Sequence, residues 1–219
     1  MIDHISCRRR VGYDKNEYVI ELFNYLQGGG KLIDECPRSL YDSVKQEYIA
    51  GSDKYDKWMT ANVGFLASYN GKWFDGGYAH PVYEHTKTGD RYRDYYQEAK
   101  RNIEKQVGKL LDVKFVSCDY TDLDLSQVTN AMIYCDPPYS NTTKYKNAEE
   151  FDYEEFWETM RQWSKRNFVL ISEQSAPEDF SCIWSADVFR SIGMGSFVAT
   201  EKLFTHNDGI YIRYTQDGV

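Results

Sequence analysis

Apolar and polar positions switch between two periods along the chain, and the switch predicts strands separated by helices. "RRRVGYD" at 8–14 reads as a strand ending at Asp14. Tyr18, Val19, Leu22, Phe23 and Leu26 then recur at helical spacing, and Gly28-Gly29-Gly30 stop that helix, as glycine commonly does. "GGGK" at 28–31 follows a helix rather than a strand, so it reads as a cap and turn instead of a phosphate loop. Helices are expected over 39–49 and 54–67, parted by Gly51 and Ser52. The stretch 68–81, "SYNGKWFDGGYAHP", breaks the pattern with glycines, aromatics and a proline. A basic helix is expected over 94–111, with Tyr95, Ala99, Ile103 and Leu110 facing inward. "VKFVSCD" and "NFVLISE" read as strands, and 152–165 as a helix opened by Asp152 and Glu155 as a capping box. A terminal hairpin is expected from 197–204 and 210–214 around "HNDG". Alternating strands and helices predict an α/β sheet with mostly parallel strands.

One apolar run ends unusually. Residues 131–135, Ala-Met-Ile-Tyr-Cys, read as a short buried strand, and "DPPY" follows at once. Two prolines cannot continue a central strand, so the chain leaves the sheet there. Asp136 then stands at the carboxyl end of a strand with Tyr139 on the loop outside it, where open α/β sheets bind ligands. A carboxylate beside carbonyls whose nitrogens carry no hydrogen is a compact acceptor array, suited to an amino group. Asp136 takes one amino hydrogen and the Pro137 carbonyl the other, while Tyr139 offers a flat face for a base that has left its duplex. The plainer alternative is a strand ending in a Pro-Pro turn.

Composition narrows the setting. A chain of 219 residues, 42% hydrophobic and 27% charged, is long enough for one domain, with or without an insertion. No apolar run reaches membrane-span length, and five scattered cysteines without a CxxC pair suit a reducing, cytoplasmic setting and argue against structural zinc. The net charge of −8 disfavours non-specific coating of nucleic acid. Locally, 87–109 carry seven basic and four acidic residues.

With these motifs in order, residues 11–214 resemble the Dam-type adenine-specific DNA methyltransferases, including phage-borne relatives. The resemblance implies a Rossmann-like, S-adenosylmethionine-dependent methyltransferase sheet over 1–35 and 111–219, with a mainly helical DNA-recognition insertion at 36–110. "DPPY" matches the catalytic motif, giving Asp136, Pro137, Pro138 and Tyr139. "GYDKNEY" matches the segment whose acid, here Asp14, holds the cofactor ribose, and "CDY" places Asp119 and Tyr120 beside its adenine; Asp136 also borders the cofactor. "SYNGKWFDGGYA" falls where that family has its recognition hairpin, placing Tyr69 and Asn70 on double-stranded DNA. Lys72, Arg91 and Arg93 are the phosphate candidates, and no metal is implied. The family's glycine-rich cofactor turn has no match before Asp14. The chain therefore reads as starting inside the following helix, with the first sheet strand missing and its neighbours open to solvent or self-association.

Plain readings remain beside these. Asp14 with Glu17 also makes an acceptable capping box, and Trp73, Phe74 and Tyr78 suit packing better than base contact. Two other functions stay open: a DNA-binding remnant without chemistry, and a methyltransferase for amino groups of RNA or protein.

Overall fold

A computed structural model of the chain describes residues 2–5, 7–86, 89–138, 151–192 and 195–210. The chain divides into two compact units, Met1–Leu123 and Asp124–Val219. No helix among the described residues is long and apolar enough to cross a membrane.

In the first unit, β1 (Arg10–Asp14) leads into α1 (Glu17–Gln27). The cap of α1 is Asn16, whose side chain accepts from the backbone N–H groups of Tyr18 and Val19, so the capping role open to Asp14 belongs to its neighbour. Gly28 ends the helix, and Gly29 follows at φ 86, a conformation glycine adopts without strain. Next come α2 (Arg38–Ile49), the short α3 (Lys57–Ala61) and a π-helical turn at Asn62–Leu66. The hairpin of β2 (Val82–Thr86) and β3 (Gly89–Arg93), α4 (Tyr95–Val107) and β4 (Val113–Ser117) complete the unit. β1 and β4 are parallel, Arg10 opposite Val113 and Asp14 opposite Ser117, so both strands end at the same edge. The Gln27 amide ties α1 to this pair by donating to the carbonyls of Leu110 and Val113.

One core serves α1 and the helices of the 36–110 region together: Leu22, Leu26, Tyr41, Val44, Val63, Phe74 and Tyr96 all belong to it. Burying a large apolar side chain stabilises a fold by roughly 1.5–3 kcal/mol, whereas a helix as short as α3 has no stability alone. Packing therefore holds α3. Gly64 lets the loop close over it, since a Cβ there would stand 2.8 Å from the Trp73 ring. On α4 the buried residue is Tyr96, not Tyr95; its hydroxyl donates to the Ile33 carbonyl at 2.8 Å.

In the second unit, β5 (Met132–Cys135), β6 (Phe168–Ser172), β7 (Phe180–Ile192) and β8 (Gly195–His206) form a sheet in the order β5-β6-β8-β7. β5 and β6 are parallel; β8 is antiparallel to both β6 and β7. The hairpin is thus β7–β8, earlier than expected, and 211–214 lie outside the described residues. α5 (Tyr153–Ser164) is capped by Asp152, which accepts from the Glu155 N–H, and buries Phe156, Trp157 and Met160. The Asn167 amide fixes the entry to β5 by donating to the Val128 carbonyl and accepting from the Ala131 N–H, each at 3.1 Å. β5 is less buried than its composition predicts: Met132 is 56% exposed because, among the described residues, β5 pairs on one side only.

Candidate active site

Two strand ends in the first unit carry acids side by side. Asp14 is exposed, and its Oδ1 accepts the Asn16 N–H at 2.7 Å. Its backbone carbonyl accepts the Cys118 N–H at 3.1 Å, which draws the start of the "CDY" segment to the end of β1. Asp119 accepts from both the N–H and the hydroxyl of Thr121 at 3.1 Å and stands 3.2 Å from the Lys15 ammonium. The Thr121 N–H, with smaller help from Lys15, holds the Asp119 carboxyl below its ordinary pKa. Tyr120 opens a single 3-10 turn beyond it. Asp14, Asp119 and Tyr120 thus share one edge, with Lys15 as a member that the sequence reading missed; a lysine directly after the first acid was the available signal. A concavity among Asp3, His4, Arg10, Lys109 and Asp112 lies toward the amino end of β1, away from this edge.

The second unit holds the Asp-Pro-Pro segment. Asp136 leaves the end of β5, Pro137 is buried and Pro138 is exposed. The Tyr153 hydroxyl donates to the Pro138 carbonyl at 2.7 Å, tying the loop to the start of α5. No hydrogen bond reaches the Pro137 carbonyl from the described residues, so that acceptor stays available. Asp136 is itself exposed, but partial desolvation of its carboxyl, and then the charge of Glu201, push it above its ordinary pKa. Tyr139 lies outside the described residues. The Tyr153 clasp has a measurable consequence. Tyr153→Phe is expected to lower unfolding stability by about 1 kcal/mol or less, as for one partly exposed hydrogen bond, in urea titrations read by tryptophan fluorescence.

The stretch 68–81 is not a hairpin. It is a compact loop closed by a Ser68–Tyr78 bridge, and Trp73, Phe74 and Tyr78 are packing residues in it. Phe74 sits at φ 48, held by Lys45 donating to its carbonyl at 2.8 Å and by its own N–H donating to the Ser68 hydroxyl at 3.1 Å. Tyr69, Asn70 and Lys72 remain exposed on its rim. The true hairpin follows at β2–β3, where Tyr83 and Tyr92 face each other with ring centroids 5.1 Å apart, 76% and 56% exposed. Beside it, Tyr95 meets the Tyr69 ring edge-on at 5.6 Å and lies under the Arg93 guanidinium at 4.5 Å. Arg91 and Arg93 both pair with Glu98 of α4, at 3.3 and 3.0 Å, which partly neutralises them. Tyr69, Arg91 and Arg93 therefore belong to one aromatic and basic patch. Tyr95 joins it, whereas Tyr83 and Tyr92, which alternate with Arg91 and Arg93 along the strands, stand on the other face of the hairpin.

A family model described as D12 class N6 adenine-specific DNA methyltransferase matches residues 8–192. No curated protein matches the chain.

Proposed function

The chain belongs to the D12 class N6 adenine-specific DNA methyltransferases, and we propose that it transfers a methyl group from S-adenosylmethionine to the 6-amino group of an adenine turned out of double-stranded DNA. The observation that carries this reading is Asp136, an acceptor at the carboxyl end of a parallel strand, next to a Pro137 carbonyl that the described residues leave open. Asp136 and the Pro137 carbonyl accept the two amino hydrogens, which turns the nitrogen lone pair away from the ring and toward the methyl. As the N–C bond forms, the pair of the C–S bond stays on sulfur, and the cationic nitrogen then gives one proton to water. Pro138, anchored by Tyr153, shapes the loop, and Tyr139 stacks on the base. Such a displacement gains its rate from positioning and from charges arranged in advance.

The donor supplies a methyl on a positively charged sulfur. On the chain, the exposed Asp14 carboxylate, engaged among the described residues by the Asn16 N–H, suits the ribose hydroxyls, and Asp119 and Tyr120 border the adenine. We place catalysis in 1–35 and 111–219, and recognition in 36–110. β1 and β5 each pair on one side only among the described residues, which supports a Rossmann-like sheet open to a further strand, and self-association through those edges.

Tyr69, Asn70, Lys72, Arg91 and Arg93 face DNA in this reading, with the β2–β3 hairpin as the protruding element. Arg91→Ala is expected to weaken duplex binding and to reduce the dependence of log K on log salt by about one phosphate contact. An unchanged salt slope, read by fluorescence anisotropy, would place Arg91 off the DNA. For the function itself, calorimetric titration of S-adenosylmethionine into the full chain is expected to show saturable binding at one per chain. Absence of binding alongside retained DNA binding would favour the remnant without chemistry.

A further inference from the structure

The sheet of the second unit brings another acid to the Asp136 end. β5 pairs with β6 so that Tyr134 is opposite Leu170 and Cys135 opposite Ile171. On the other side of β6, Ser172 is opposite Leu203 and Ile171 opposite Phe204 of β8. Side chains alternate between faces along a strand. Tyr134, Leu170, Ser172 and Leu203 therefore share one face, Asp136 continues it from β5, and Glu201 continues it from β8. Because β8 runs against β6, Glu201 falls beyond Ser172, at the end of the sheet where Asp136 stands. Two strand spacings, roughly 10 Å, separate the two backbones laterally, so the acids act on each other through space rather than by contact.

The electrostatics agree with this placement. Asp136 responds first to partial desolvation and then to Glu201, and the Tyr134 phenol, which shares a hydrogen bond with Ser172, is raised by burial and by both acids. Among the described residues of this sheet, the other titratable groups around the strand ends are Cys135, the buried Glu173 and Lys202. Lys202 belongs to the opposite face and donates to the Gln174 carbonyl at 3.1 Å.

We propose that Glu201 is a positioning residue of the amine site, its carboxylate standing on the face and at the end that Asp136 occupies and making Asp136 a stronger acceptor for the amino hydrogens. This rests on the methylation reading above. As the nitrogen turns cationic, Glu201 also favours the charge through space, without touching the base.

The test is Glu201→Gln in the full chain, with Glu201→Asp as the variant that keeps the charge. The first readout needs no turnover: the carbon-13 signal of the Asp136 carboxyl, assigned by its loss in Asp136→Asn, is followed against pH. Its midpoint is expected to move to lower pH in Glu201→Gln and to stay closer to the original in Glu201→Asp. The acid limb of the methylation rate should move the same way, with KM for DNA unchanged. A midpoint that stays in place in a folded Glu201→Gln variant overturns the proposal. So does a moved midpoint with an unmoved acid limb in an active enzyme. A shifted midpoint in a chain whose natural form transfers no methyl supports the coupling and counts against the methylation reading instead.

Discussion

Asp136→Asn is expected to lower the single-turnover methylation rate by about 10²–10³-fold, the usual cost of removing one preorganised electrostatic contact to the reacting group. Asparagine keeps the size of aspartate and one acceptor oxygen but loses the charge, and its NH2 group cannot accept an amino hydrogen. Tyr134 and Ser172 behind it are untouched, so the fold and the affinities for DNA and cofactor should hold. The rate of the unmodified enzyme should also carry an acid limb from this residue. Asp136 accepts hydrogen bonds best when ionised, and partial desolvation with the charge of Glu201 raises its pKa. Activity is therefore lost as pH falls through that raised value, earlier than an ordinary aspartate would lose it. A natural rate in Asp136→Asn would contradict the assignment of roles.

Asp14→Ala is the second large effect, and it falls on binding. One hydrogen bond to a charged group is worth roughly 1.5–3 kcal/mol, so losing the ribose acceptor should weaken S-adenosylmethionine by about 10–150-fold. The carboxylate is exposed and, among the described residues, accepts from the Asn16 N–H alone, which leaves stability nearly unchanged. Asn16→Ala is the natural control, because it removes the cap of α1. It should cost about 1 kcal/mol of stability with a smaller effect on cofactor affinity. Calorimetry and urea denaturation on both variants separate the two roles; equal losses of affinity would deny Asp14 its own part.

The neighbouring identities Asp14 and Asn16 also show where sequence reading meets its limit. Either residue type caps a helix, and only backbone geometry decided that Asn16 points at Tyr18 and Val19. α1 with its glycine stop, α5 with Asp152, and the strand ahead of Asp136 were legible, because periodicity, caps and prolines act locally there. Tyr95 and Tyr96 are hard to tell apart in sequence because adjacent residues on a helix differ by about 100°; Tyr96 is the one in the core, bonded to Ile33 and Asn62. The β2–β3 hairpin escaped notice because most of its side chains face solvent, so no buried alternation marks it. β7 was hidden similarly: Ile183, 38% exposed, is the extra residue in a pairing irregularity between Cys182 and Trp184, and Trp184 beside it is 50% exposed. Within the candidate site, Asp14, Asp119, Asp136 and the prolines carry their chemistry in their type and place. Tyr153 and Glu201 were beyond reach, since each acts through a partner that only the fold supplies.

The most direct test is to incubate the full chain with S-adenosylmethionine carrying a labelled methyl group and random-sequence duplex DNA, then digest the DNA to nucleosides. The label is expected in N6-methyladenine, accumulating far more slowly with Asp136→Asn. Label found in RNA or in protein offered alongside, or none transferred by a chain that binds the cofactor, would contradict the account.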